Sequence, residues 1–152
     1  MEELVEPEVK IEVNAFVPDF YIPDISERLI LYQRLSGVSS EEASQDLYSE
    51  TEDRFGPLPE PVEALFDLMT FRGMLRRYGV VKVEIAQNGI SLTFLPKAPM
   101  NPDKYLKLLE HEPEGFRSTA PHRLTIVSET YLSQSPPQLY RSLLKLLEKL
   151  SA

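Results

Sequence analysis

Between Gly79 and Phe94 the chain changes its hydrophobic period. Val81, Val83 and Ile85 alternate with Lys82 and Glu84, the pair Asn88-Gly89 follows, and Ile90, Leu92 and Phe94 then alternate with Ser91 and Thr93. Successive side chains of a strand point to opposite faces, so a period of two on both sides of Asn-Gly predicts an antiparallel hairpin with one buried face. A lone hairpin is not stable in water, and the segments around it must supply the cover.

Those segments are mostly helical in pattern. Asp24 and Glu27 form a capping-box-like start, Ile25, Leu29, Tyr32 and Leu35 share a helical face, and Gly37 ends the run. Ser39 and Glu42 repeat the capping logic for a second helix through Ala43, Leu47 and Arg54, stopped by Gly56-Pro57 and thin in apolar residues. Pro59 and Pro61 suit the first turn of a third, carrying Val62, Leu65, Phe66, Met69 and Leu75 as far as Tyr78, which reads as the central core helix. Beyond the hairpin, Met100–Glu110 reads as a helix with Tyr105, Leu106 and Leu109 inward, Leu124–Val127 as a strand, and the segment after Pro136-Pro137 as a helix burying Leu139, Tyr140, Leu143, Leu144, Leu147 and Leu150.

At the other end Val9, Ile11 and Val13 alternate with polar residues as a strand would, preceded by an acidic leader with Glu2, Glu3, Glu6 and Glu8. Residues 1–8 are therefore expected to be a linker remnant, and residues 9–152 a single domain. Helices and strands mix without strict βαβ alternation, which predicts an α+β fold with helices packed on a small antiparallel sheet. The 152 residues, 42% of them hydrophobic, suffice for one core.

No familiar chemistry emerges. The six glycines are scattered singly, so neither a phosphate-cradling loop ending in Lys-Ser/Thr nor G-x-G-x-x-G is present. Cysteine is absent, and His111 and His122 are too far apart for a ligand pair on one helix; surface loop positions are expected for both. There is no G-x-S-x-G elbow, and with 24 acidic residues carboxylate pairs arise by chance. The chain reads as non-catalytic, without cofactor or metal. Its net charge of −8 opposes binding to phosphate backbones and favours a basic protein partner. No apolar run reaches the roughly 20 residues that span a bilayer, so a cytoplasmic location without a membrane partner is expected.

Two charged clusters stand out. Arg72 and Arg76 fall at i, i+4 on the third helix, with Arg77 and Lys82 beyond, as a patch able to touch phosphate or an acidic partner, or simply to complement the helix dipole. Asp46, Glu50 and Asp53 fall at i, i+4, i+7 on the second helix and form a negative stripe, with Arg54 four residues after Glu50 and placed to neutralise part of it. By spacing alone that stripe is a solvated face.

The segments Phe20-Tyr-Ile-Pro-Asp24, Arg28-Leu-Ile-Leu-Tyr-Gln-Arg-Leu35 and Asp53-Arg-Phe-Gly-Pro-Leu-Pro59 resemble the C-terminal domain of the bacterial transcription-repair coupling factor family, Mfd. The likeness is strong from about Val13 through the third helix and looser to the C-terminal helix. Members of that family are ATP-driven DNA translocases that remove stalled RNA polymerase and recruit excision repair through UvrA; this chain lacks the motor motifs. The resemblance implies a regulatory, autoinhibitory domain for DNA repair that docks on the N-terminal UvrB-like domain and masks its UvrA-binding surface. It carries the family's acidic contacts onto Glu50 and Asp53, with Arg54 orienting the face. Thr51-Glu52 departs from the family's frequent apolar residues there. The alternative is an accessory nucleic-acid contact through Arg72, Arg76, Arg77 and Lys82.

Overall fold

Pairing around the Gly79–Phe94 segment organises a five-stranded sheet. In the computed structural model, which describes residues 6–152, the strands are β1 (Glu8–Ile11), β2 (Val80–Ala86), β3 (Gly89–Phe94), β4 (Phe116–Ala120) and β5 (Arg123–Ile126), in the order β1-β2-β3-β5-β4. Six helices accompany them among the described residues: α1 (Ile25–Ser36), α2 (Glu41–Phe55), α3 (Glu60–Met74), α4 (Pro102–His111), α5 (Glu129–Leu132) and α6 (Pro136–Leu150). The fold is α+β, as expected. The sheet is antiparallel except at one edge, where β1 runs parallel to β2, so it is mixed. Glu2 and Glu3 of the acidic leader lie outside the described residues, and Glu8 already pairs with Lys82.

The chain divides into two compact units, residues 13–74 and the remainder. In the sheet unit, Val83, Ile90, Leu92, Leu124 and Ile126 are completely buried. The hairpin forms one residue out of step with expectation. Ala86 pairs with Gly89, which leaves Gln87-Asn88 as the loop, and a bulge between Val80 and Lys82 brings Val80 and Val83 inward in place of an unbroken Val81, Val83, Ile85 face. Strand β4 has one buried residue, Phe116, followed by exposed Arg117, Ser118 and Thr119, a pattern without a period to read. His122 adopts φ 61 in the turn to β5, and His111 ends α4 instead of lying in a loop; both are exposed.

Helix α6 buries Leu139, Tyr140, Leu143, Leu146, Leu147 and Leu150, with Leu146 taking the place expected of Leu144. Helix α4 has no fully buried residue, and Leu106 is exposed while Tyr105 and Leu109 are half-buried. Asn101 caps α4 by accepting from the Asp103 and Lys104 amides, and its own amide donates to the Leu150 carbonyl at 2.8 Å, tying the start of α4 to the end of α6.

The helical unit is assembled around an extended entry segment. Val17 and Ile22 from that segment join Leu31, Leu35, Val38, Leu47, Leu58, Val62, Leu65 and Phe66 in one core. The Val17 amide donates to the Tyr32 hydroxyl at 2.8 Å, and the Arg28 guanidinium donates to the carbonyls of Ile22 and Pro23 at 2.7 and 2.9 Å. Asp24 caps α1, accepting from the Ser26 amide. The buried face of α1 is Leu31 and Leu35; Ile25 and Leu29, expected inside, are 64% and 57% exposed. Ser40, one residue after the expected Ser39, caps α2 by accepting from the Ala43 amide. Helix α3 ends at Met74 and a 3-10 turn, Leu75–Tyr78, follows. Gly73 lets α3 approach the link between α1 and α2, since a Cβ there would sit 1.8 Å from the Val38 carbonyl oxygen.

Candidate functional site

Helix α2 has one face committed to the core and one to solvent. Leu47 and Thr51 are its buried residues. Thr51 stands where an apolar residue would be expected, and its hydroxyl is satisfied by donating to the Leu47 carbonyl at 2.7 Å, so the departure leaves no orphaned polar group. Tyr48 sets its ring edge-on against Phe66, centroids 5.5 Å apart, and donates its hydroxyl to Glu63 at 2.8 Å. That bond, with burial and neighbouring carboxylates, pushes the Tyr48 pKa up to about 12.

The opposite face presents Asp46, Glu50 and Asp53, all exposed. Glu50 accepts from both Nη groups of the Arg34 guanidinium in α1, the Nη2 to Oε1 distance being 3.1 Å. The hydrogen bond from Arg34 holds the Glu50 carboxyl below its ordinary pKa; desolvation opposes this, and the positive charges of Arg34 and Arg54 add to it. Arg34 is correspondingly raised by the same bond. Asp46 and Asp53 form no ion pair among the described residues.

Arg54 does not close on Glu50, as its spacing suggested. Its Nη2 donates to Glu27 of α1 at 2.7 Å while the guanidinium lies 4.9 Å from the centroid of the Phe55 ring. Gly56 then leaves the helix at φ 91, a conformation that favours glycine, and its carbonyl accepts from the Tyr21 hydroxyl at 2.7 Å. The Asp53-Arg54-Phe55-Gly56 run therefore splits by role. Asp53 faces solvent, and the three residues after it lock the helix end to α1 and the entry segment. The partners Arg34 and Glu27 escaped sequence reasoning because pairs 16 and 27 residues apart leave no local periodic signal.

The four cations of the alternative patch do not share one element. Arg72 is in α3, Arg76 and Arg77 are in the 3-10 turn, and Lys82 is in β2. Arg76 donates to Glu6 at 2.6 Å, and Lys82 lies 3.4 Å from Glu84. Among the described residues no group of three or more His, Cys, Asp or Glu is gathered to hold a metal, and no helix is long and apolar enough to cross a membrane.

A family model described as the TRCF domain matches residues 11–105. The chain is similar to the transcription-repair-coupling factor of Escherichia coli strain K12, with 28% identity over 144 residues, covering 95% of this chain and 12% of that protein. It is also similar to that of Haemophilus influenzae, with 31% identity over 131 residues, covering 85% and 11%. The chain thus spans about a tenth of the length of these relatives. In fold it resembles the crystal structure of the C-terminal domain of transcription-repair coupling factor, with a TM-score of 0.71, 19% identity and 95% coverage of each chain.

Proposed function

Because the chain belongs to the TRCF domain family, that of the C-terminal domain of transcription-repair coupling factors, we propose that it is a non-catalytic regulatory module of such a protein. In this reading it docks through the outer face of α2 on the N-terminal UvrB-like domain of the same polypeptide and covers the surface that UvrA would bind. Release of the module exposes that surface. ATP, DNA and RNA polymerase belong to the rest of the parent protein, which acts in the cytoplasm.

The observation that carries the reading is the division of α2. Glu50, held by the Arg34 fork, and the open carboxylate of Asp53 project from a helix whose rear is fixed by Leu47, Thr51 and the Arg54–Glu27 pair. Carboxylates on an oriented face accept arginine forks and contribute encounter rate and register more than raw affinity. Tethering supplies the remaining bias, because two domains of one chain meet at an effective concentration of order mM. A weak interface then stays closed until UvrA competes for the covered surface.

Calorimetric titration of this chain into the isolated UvrB-like domain tests the docking. Saturable, weak binding abolished by Glu50→Arg plus Asp53→Arg supports it. Unchanged affinity of the folded double variant, or no binding of the wild type up to about mM, rejects it. The nucleic-acid alternative is less well supported, since the chain's net charge of −8 opposes binding to a phosphate backbone. Salt-dependent DNA binding lost on neutralising Arg72, Arg76, Arg77 and Lys82 would restore it.

A further inference from the structure

The sheet unit carries a cleft of about 990 Å³ lined by α4, α5 and α6. Its cations are Lys104 and Lys107 of α4 and Lys145 and Lys149 of α6. Lys104 donates to the Ser151 carbonyl at 3.0 Å, whereas Lys107, Lys145 and Lys149 are exposed and form no ion pair among the described residues. Four ammonium groups around one opening are a local reversal in a chain of net charge −8. Half-buried Leu108 and Tyr131 contribute apolar surface to the same cleft, which the buried Phe116 and Leu146 also line.

We propose that this cleft docks an acidic amphipathic helix of a partner protein, with carboxylates on the lysines and an apolar stripe on the surface between them. Charge complementarity selects the sign of the ligand, and the apolar lining selects an amphipathic one over a simple polyanion. Glu112 and Glu148 also line the cleft and would repel a continuous phosphate backbone, whereas separate carboxylates of a peptide can be spaced to avoid them. Gln134 lines it too, and its buried Oε1 lacks a hydrogen-bond partner. Turned outwards, that amide accepts from one of the N–H groups left unpaired in the first turn of the docked helix, a donor that a phosphodiester backbone does not offer. The bond from the Asn101 amide to the Leu150 carbonyl ties two of the cleft's walls together, which limits the ordering cost of binding.

The test is fluorescence anisotropy of the 152-residue chain with a fluorescein-labelled synthetic peptide of about four helical turns, leucine at helical spacing and glutamate elsewhere. Saturable binding with Kd of about micromolar is expected, weakened at least about tenfold by Lys145→Glu plus Lys149→Glu and unaffected by Glu50→Arg plus Asp53→Arg. Lys107→Glu on the facing helix should weaken it as well, and both sites are exposed, so circular dichroism should stay unchanged. Absence of peptide binding, or equal binding of a peptide with serine in place of leucine, overturns the proposal. So does tighter binding of a labelled oligothymidylate lost in the same variants, which would make the cleft a nucleic-acid site.

Discussion

Arg34 in α1 closes a two-pronged ion pair on Glu50 in α2, joining helices whose paired residues lie 16 positions apart. The pair is exposed, so it positions a carboxylate more than it stabilises the fold. Arg34→Ala should therefore raise the Glu50 pKa toward its ordinary value in an NMR titration of the side-chain carboxyl, while the thermal midpoint moves by no more than a few degrees. A pKa that stays depressed in the variant would show that Arg34 is not its cause.

The same pair sets a pH dependence. Glu50 has its pKa lowered in the folded state, so its contribution is present above the unfolded carboxylate pKa and is lost as pH falls through the folded value. Acidification below about pH 5 should cost the wild type more stability than Glu50→Gln, as read from denaturant midpoints at each pH. Parallel profiles would contradict it.

Tyr48 works in the opposite direction. Its pKa is raised from 10.0 to about 12, so the stabilisation is complete below pH 10.0 and is lost as pH rises through about 12. Tyr48→Phe removes the ionisation and should flatten the decline of the chemical denaturation midpoint over that alkaline range. An equally steep decline in the variant would place the titrating group elsewhere.

Gly73 is the backbone contact most sensitive to a single methyl group. A Cβ there would lie 1.8 Å from the Val38 carbonyl oxygen and 2.9 Å from its carbon, both backbone atoms unable to rotate away. Gly73→Ala should destabilise by about 1–3 kcal/mol or more despite alanine's better helix propensity, read as a lowered thermal midpoint. A stabilised variant would mean that α3 does not pack so closely on that link.

The helices, the hairpin and the α+β class were legible because each rests on a local period or cap. Errors arose where a neighbour decided the outcome. On α1, Ile25 and Leu29 stay exposed, while Val17 and Ile22, in a segment without helical period, take places in the core. The loop of the hairpin moved from Asn88-Gly89 to Gln87-Asn88 in a ladder whose register pairs Val83 with Leu92 and Ile85 with Ile90. Strand β4 has too little apolar pattern to announce itself. At the candidate site, the stripe of Asp46, Glu50 and Asp53 was visible as spacing, but the exchange of partners that gives Glu50 to Arg34 and Arg54 to Glu27 depends on how α1 lies beside α2.

Docking through the acidic face is tested most directly in the full-length parent protein, by measuring UvrA affinity for the wild type and for Glu50→Arg plus Asp53→Arg. If the face holds the module closed, the double variant binds UvrA at least about tenfold more tightly while its C-terminal domain remains folded. Equal affinity of the two proteins, with the domain intact, would contradict the proposed autoinhibition.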